Sequence, residues 1–131
     1  MSQSLAINPF LKNLSLTYCS IDAGAAQALF EILIYTRSAL EEVNLSGNLL
    51  RNEGIRKVLI GTAIAKSLKK ILLADNQFND DDQIVRAMEF CMEKNKTLTK
   101  YDFKYNNITD RGKFVTYNFS FGKNHNCVNG S

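Results

Sequence analysis

Apolar residues along the chain fall into a short phrase that is written four times. In the copy Leu40-Glu41-Glu42-Val43-Asn44-Leu45-Ser46-Gly47-Asn48-Leu49-Leu50, apolar side chains occupy positions 1, 4, 6 and 11 and an asparagine occupies position 9. The other copies begin at Leu11 (LKNLSLTYCSI), Leu68 (LKKILLADNQF) and Leu98 (LTKYDFKYNNI), so successive starts lie 29, 28 and 30 residues apart. Position 9 holds Cys19, Asn48, Asn76 and Asn106. A period of this size marks a solenoid, in which each unit buries its apolar face against its neighbours. Alternation inside the phrase predicts a strand, and the longer apolar spacing between phrases predicts a helix.

Strands are expected over 13–17, 42–46, 70–74 and 100–104, with Leu14, Leu16, Tyr101 and Phe103 among the inward residues. The first helix is expected from a cap at Asp22 to about residue 35, burying Ala25, Ala28, Leu29, Ile32 and Leu33. The second runs from a cap at Asn52 to about residue 67, burying Ile55, Val58, Leu59 and Ala63. The third opens at Asn79-Asp80-Asp81-Asp82 and reaches about residue 94; a shorter fourth lies around 113–121. Phe114, Val115, Tyr117, Phe119 and Phe121 crowd that last segment and are expected to close the end of the core. Gly24, Gly54 and Gly112 stand at related places near helix starts, where glycine permits a tight passage. An asparagine at position 9 has both donors and an acceptor for backbone groups freed as the chain leaves the strand. Cys19 donates weakly, so the first layer is expected to be held less tightly.

The phrase fits L-x-x-L-x-L-x-x-N/C-x-L and resembles the leucine-rich repeat over roughly residues 5–121. Its long period is similar to that of the ribonuclease-inhibitor-like class. The resemblance implies an α/β solenoid, a horseshoe with parallel strands on the concave face and helices on the convex face. It divides one domain, 1–131, into repeats 11–39, 40–67, 68–97 and 98–121, with a partial repeat at 1–10 and a polar tail at 122–131. Ser4 to Phe10 resembles the last turn of a preceding repeat, so the start looks uncapped beside Leu14 and Leu16. A longer array, another protein over that edge, or homo-association through it would each account for this. The stretch EKNKTLTKYDFKYNNITDRG is similar to the last repeats of the tropomodulin group. It also fits regulators of small GTPases, immune sensors and axonemal regulatory subunits.

Composition narrows the partners. A net charge of +3, from sixteen Lys and Arg interspersed with thirteen acids, argues for neither nucleic acid nor a membrane surface. No apolar run is long enough to span a bilayer, and the first residues lack the pattern of a secretory leader. Three cysteines make no disulfide framework; Cys19 and Cys91 are expected as buried thiols, which points to a cytoplasmic setting with cytoskeletal or axonemal association open. Asn-x-Ser/Thr occurs at Asn13, Asn44, Asn95, Asn107, Asn118 and Asn129. Asn13 and Asn44 fall inside strands, so the set is read as a by-product of an asparagine-rich repeat rather than as glycan sites.

Reactive chemistry is scarce. His125 is the single histidine, and no CxxC, P-loop or GxGxxG occurs. Cys19, Cys91 or Cys127 would each need His125 beside it to act as a nucleophile. Asp80, Asp81 and Asp82 lack the spaced oxygens of a calcium loop and are read as acids favoured at a helix start. A non-enzymatic chain without metal or cofactor is expected.

The outward strand residues then carry the functional reading. Position 3 stacks Asn13, Glu42, Lys70 and Lys100, and position 5 stacks Ser15, Asn44, Leu72 and Asp102. Position 7 gives Thr17, Ser46, Ala74 and Lys104, and position 8 gives Tyr18, Gly47, Asp75 and Tyr105. Aromatics beside small and mixed-charge residues suit a protein partner. The residues chosen for partner binding are Tyr18, Leu72, Lys100, Asp102, Lys104 and Tyr105. The expected function is protein–protein interaction through the concave strands. The alternative is a structural solenoid segment of a larger assembly that uses its ends or convex helices.

Overall fold

The computed structural model describes residues 10–35 and 37–123, with side chains to residue 116. Each phrase begins with a three-residue strand: β1 (Asn13–Ser15), β2 (Glu42–Asn44), β3 (Lys70–Leu72) and β4 (Lys100–Asp102). The strands form one open parallel sheet in the order β1-β2-β3-β4. The register joins equal positions of successive phrases, so Leu14, Val43, Ile71 and Tyr101 stand side by side. Parallel neighbours need a crossover, and the rest of each unit supplies one. These crossovers contain α1 (Ala26–Ile34), α2 (Arg51–Ile64) and α3 (Asp82–Lys94), with α4 (Asp110–Lys123) following β4. Consecutive helices pack against one another in the same order as the strands.

Hydrogen bonds repeat with the period of the sequence. The carbonyls of Lys12, Glu41 and Lys69, all at position 2, each accept two backbone N–H groups from the start of the following strand. At the other end, the N–H groups of Tyr18, Gly47 and Asp75 reach the carbonyls of Ser46, Ala74 and Lys104. Hydroxyls just before the phrase form a further rung. Ser67 Oγ donates to Leu40 O at 2.7 Å, and Thr97 Oγ1 donates to Leu68 O.

The core lies between sheet and helices, where Leu45, Leu50, Leu59, Ile71, Ile84 and Met88 are fully enclosed. Each such side chain contributes roughly 1.5–3 kcal/mol when removed from water. Tyr101 and Phe103 point inward, and Phe103 meets Phe78 edge to face with ring centres 6.0 Å apart. The buried Tyr101 hydroxyl donates to Thr116 O at 3.0 Å. Leu14 and Leu16, on the outermost strand, are half-buried.

Several local expectations need correction. The regular strands end at position 5, two residues earlier than expected, although backbone hydrogen bonds to the next unit continue to position 8. Asn44 Oδ1 accepts the Ser46 N–H at 3.1 Å, and Asp102 Oδ1 accepts the Lys104 N–H at 2.9 Å. Asp22 does not cap a helix with its side chain; it sits in a backbone bridge with Leu49, followed by a 3₁₀ turn over Ala23–Ala25. That turn shifts the helical phase, so α1 buries Ala26, Leu29, Ile32 and Leu33 while Ala25 and Ala28 are half-buried. Asn52 lies inside α2 rather than at its cap, and its amide crosses to the next unit. Cys19 is exposed, its thiol donating to Thr17 O at 3.3 Å, whereas Cys91 is buried as expected. Phe114 is exposed and Val115 is buried; the side chains of Tyr117, Phe119 and Phe121, the segment 1–9 and the tail from 124 lie outside the described residues.

Candidate interaction face

What fixes this face is the asparagine ladder behind it. Asn48 Nδ2 donates to Leu45 O and to Leu16 O of the preceding unit, both at 2.8 Å, while its Oδ1 accepts from the N–H groups of Cys19 and Ile21. Asn76 repeats the arrangement with Leu45 O, Leu73 O and Leu50 N. Asn106 repeats it with Leu73 O, Phe103 O, Asn76 N and Phe78 N. Each amide thus satisfies backbone groups of two units, which buried turns require.

In front of the ladder, the register lays Asn13, Glu42, Lys70 and Lys100 in one column and Ser15, Asn44, Leu72 and Asp102 in the next. Of the six residues chosen from sequence, Leu72, Lys100, Asp102, Lys104 and Tyr105 fall on two adjacent strands and the turn after the second. Leu72 is half-buried beside Asp102. Asp102 has local work as well, accepting the Lys104 N–H and standing 3.8 Å from Lys104 Nζ. Tyr18 stands apart from this group, three strand spacings from Tyr105, or roughly 15 Å.

Position 8 has a property that residue type concealed. Tyr18, Gly47, Asp75 and Tyr105 have φ of 53°, 77°, 54° and 60°, so the chain is left-handed there in every unit. Only Gly47 is a residue that adopts this backbone at no steric cost. Tyr18 and Tyr105 hold large rings at 74% and 80% exposure on that strained backbone. The Tyr18 ring lies across Gly47, where an added Cβ would sit 2.3 Å from the ring. Beside Tyr105, Gln77, Asn79 and Asn107 line an amide-rich recess of about 480 Å³ that sequence reasoning passed over. The one local sign of it was the density of amides around positions 9 to 12.

The three adjacent aspartates are divided among separate tasks. Asp81 caps α3 through the Ile84 N–H and also accepts from Asn52, and these hydrogen bonds hold its carboxyl below the ordinary aspartate value. Asp82 pairs with Arg111 at 2.6 Å. Asp80 is buried and reaches the following unit: its Oδ2 accepts from Thr109 N, Thr109 Oγ1 and Gly112 N. Burial alone would raise its pKa, but the Thr109 hydroxyl and the N–H groups of Gly112 and Thr109 outweigh that and lower it. Gly112 is needed because a Cβ there would come within 2.8 Å of Asp80 Oδ2.

Among the described residues, no group of three or more His, Cys, Asp and Glu side chains is gathered to hold a metal, and no helix is long and apolar enough to cross a membrane. His125 and Cys127 lie outside the described residues. No curated protein matches the chain. The family model described as Leucine Rich repeat matches residues 94–112, the end of α3 through β4 to Gly112, and supports a leucine-rich repeat in this chain.

Proposed function

We propose that the chain is a non-enzymatic protein–protein interaction module of the ribonuclease-inhibitor-like kind, with four repeats over 11–121 curving so that the strands line a concave binding face. The observation that carries this reading is the pair Tyr18 and Tyr105, two exposed rings on left-handed backbone where a small residue would cost less. Strain retained at exposed positions points to use there. Tyr105 beside Leu72, Lys100, Asp102 and Lys104, with Tyr18 at the opposite edge of the sheet, suits a protein surface with a small apolar contact ringed by charge. The matched motif belongs to repeats that generally bind proteins rather than catalyse reactions. We place the module inside the cell, a reading supported by the buried Cys91 thiol and by Asn95, whose sequon amide is buried and donates to Thr62 O.

Capture from cell extract on the immobilised chain, compared with a Lys100→Ala/Lys104→Ala/Tyr105→Gly variant, tests the face. A protein retained by the wild type and lost by the folded variant supports the strand surface. Equal retention moves binding to the ends or the helices, and the structural-segment reading then replaces this one.

A further inference from the structure

The helical side carries a second surface that the strand face leaves unused. Between α2 and α3 lies an open recess of about 530 Å³ lined by Arg56, Ile60, Gln83, Arg86, Ala87 and Phe90. The two helices connect parallel strands and run in the same direction. Arg56 and Ile60 are one turn apart on α2, as Arg86 and Phe90 are on α3, so the recess has a cationic end and an apolar end. Phe90 is 38% exposed, and Ile64, one further turn along α2, is 45% exposed.

Neither guanidinium has a carboxylate within ion-pair reach among the described residues. Asp82, which lies one turn before Arg86, is paired with Arg111 instead. Two unpaired arginines are therefore the charged lining of a groove whose remainder is apolar apart from Gln83. Arginine binds carboxylates through a planar pair of donors, and apolar floor between two such sites favours a side chain seated between the charges.

We infer that this groove docks an acidic amphipathic segment of a partner protein, with carboxylates on Arg56 and Arg86 and an apolar anchor against Ile60 and Phe90. Charge selects this occupant over the others. Segments 1–9 and 124–131 of this chain contain no Asp or Glu to offer. A symmetric contact between two copies through this groove would set arginine against arginine.

The test uses the full chain and a fluorescein-labelled helical peptide of about 16 residues, roughly four turns, with paired Glu one turn before Leu and Phe. Anisotropy titration is expected to give saturable binding that weakens with salt. Arg56→Ala/Arg86→Ala should weaken it roughly tenfold or more, Phe90→Ser should weaken it as well, and the Lys100→Ala/Lys104→Ala/Tyr105→Gly variant should bind like wild type. Retained binding in that variant separates this groove from the strand face, so either reading can fail alone. Absence of binding, equal affinity for the Glu→Gln peptide, or no effect of the arginine variant would overturn the inference. Arginine-dependent capture on phosphatidylserine vesicles without peptide binding would assign the groove to a membrane surface and overturn it too.

Discussion

Replacing Asn76 by alanine probes the ladder at its most enclosed rung, where the side chain is 0% exposed. Its Nδ2 donates to Leu45 O at 2.9 Å, Leu73 O at 3.3 Å and Ala74 O at 3.2 Å, and its Oδ1 accepts the Leu50 N–H at 3.3 Å. The three carbonyls keep other donors: Asn48 Nδ2 for Leu45, Asn106 Nδ2 for Leu73 and the Gly47 N–H for Ala74. The Leu50 N–H loses the acceptor the ladder gives it, in a buried setting. One orphaned donor costs about 1–3 kcal/mol, and the three thinned carbonyl bonds add about 0.5 kcal/mol each, for a loss of about 2.5–4.5 kcal/mol. For a chain of this size that lowers Tm by roughly 8–15 °C. Urea titration followed by circular dichroism should show a lower midpoint at unchanged slope. Cys19→Ala is the matched control at the same position of the first phrase. Its thiol is exposed and donates within its own turn, so its loss should stay under about 0.5 kcal/mol. If the two variants unfold at the same urea concentration, the amides are not what joins the units.

Asp80→Asn should destabilise the fold at neutral pH, with the gap from wild type closing in acid. The folded carboxyl is lowered, so its contribution is complete above the unfolded-state pKa of about 4 and is lost as pH falls through the lower folded value. A wild-type-to-variant gap that stays constant from pH 7 into strong acid would contradict this. Gly112→Ala should cost about 1–3 kcal/mol by pushing Asp80 Oδ2 and Ile108 Cγ2 from 2.8 Å contacts, and a thermal melt matching wild type would refute it. Tyr105→Gly should leave stability unchanged or raise it by up to about 1 kcal/mol through relief of left-handed strain. A clear drop in its urea midpoint would show that the ring is there for packing rather than for a partner.

The sheet could be read from sequence because apolar positions recur with the same spacing in four places, and the register then follows from matching them. Helix α2 could be read for a similar reason: Ile55, Val58, Leu59 and Ala63 are all buried. What the sequence concealed depends on groups brought together from a distance. Asp80 acts on residues 29 and 32 positions later, which no local rule for acids at a helix start describes. Asn52 looked like a cap but is engaged with Asn79 and Asp81. The left-handed turn at position 8 showed itself at Gly47, and was hidden at Tyr18 and Tyr105, which adopt it against their preference. Among the chosen binding residues, Tyr18 and Tyr105 are exposed, whereas Leu72 is half-buried and Asp102 also helps to make its own turn.

The asparagine ladder also has a direction. Asn48 covers Cys19 and Ile21, Asn76 covers Leu50, and Asn106 covers Asn76 and Phe78, so each amide guards the turn upstream of it, like overlapping shingles. On a ribosome, which releases the N-terminal side first, no turn is roofed until its successor has emerged. Loosening the last unit uncovers the amides of Asn76 and Phe78, whereas loosening the first leaves both sheltered.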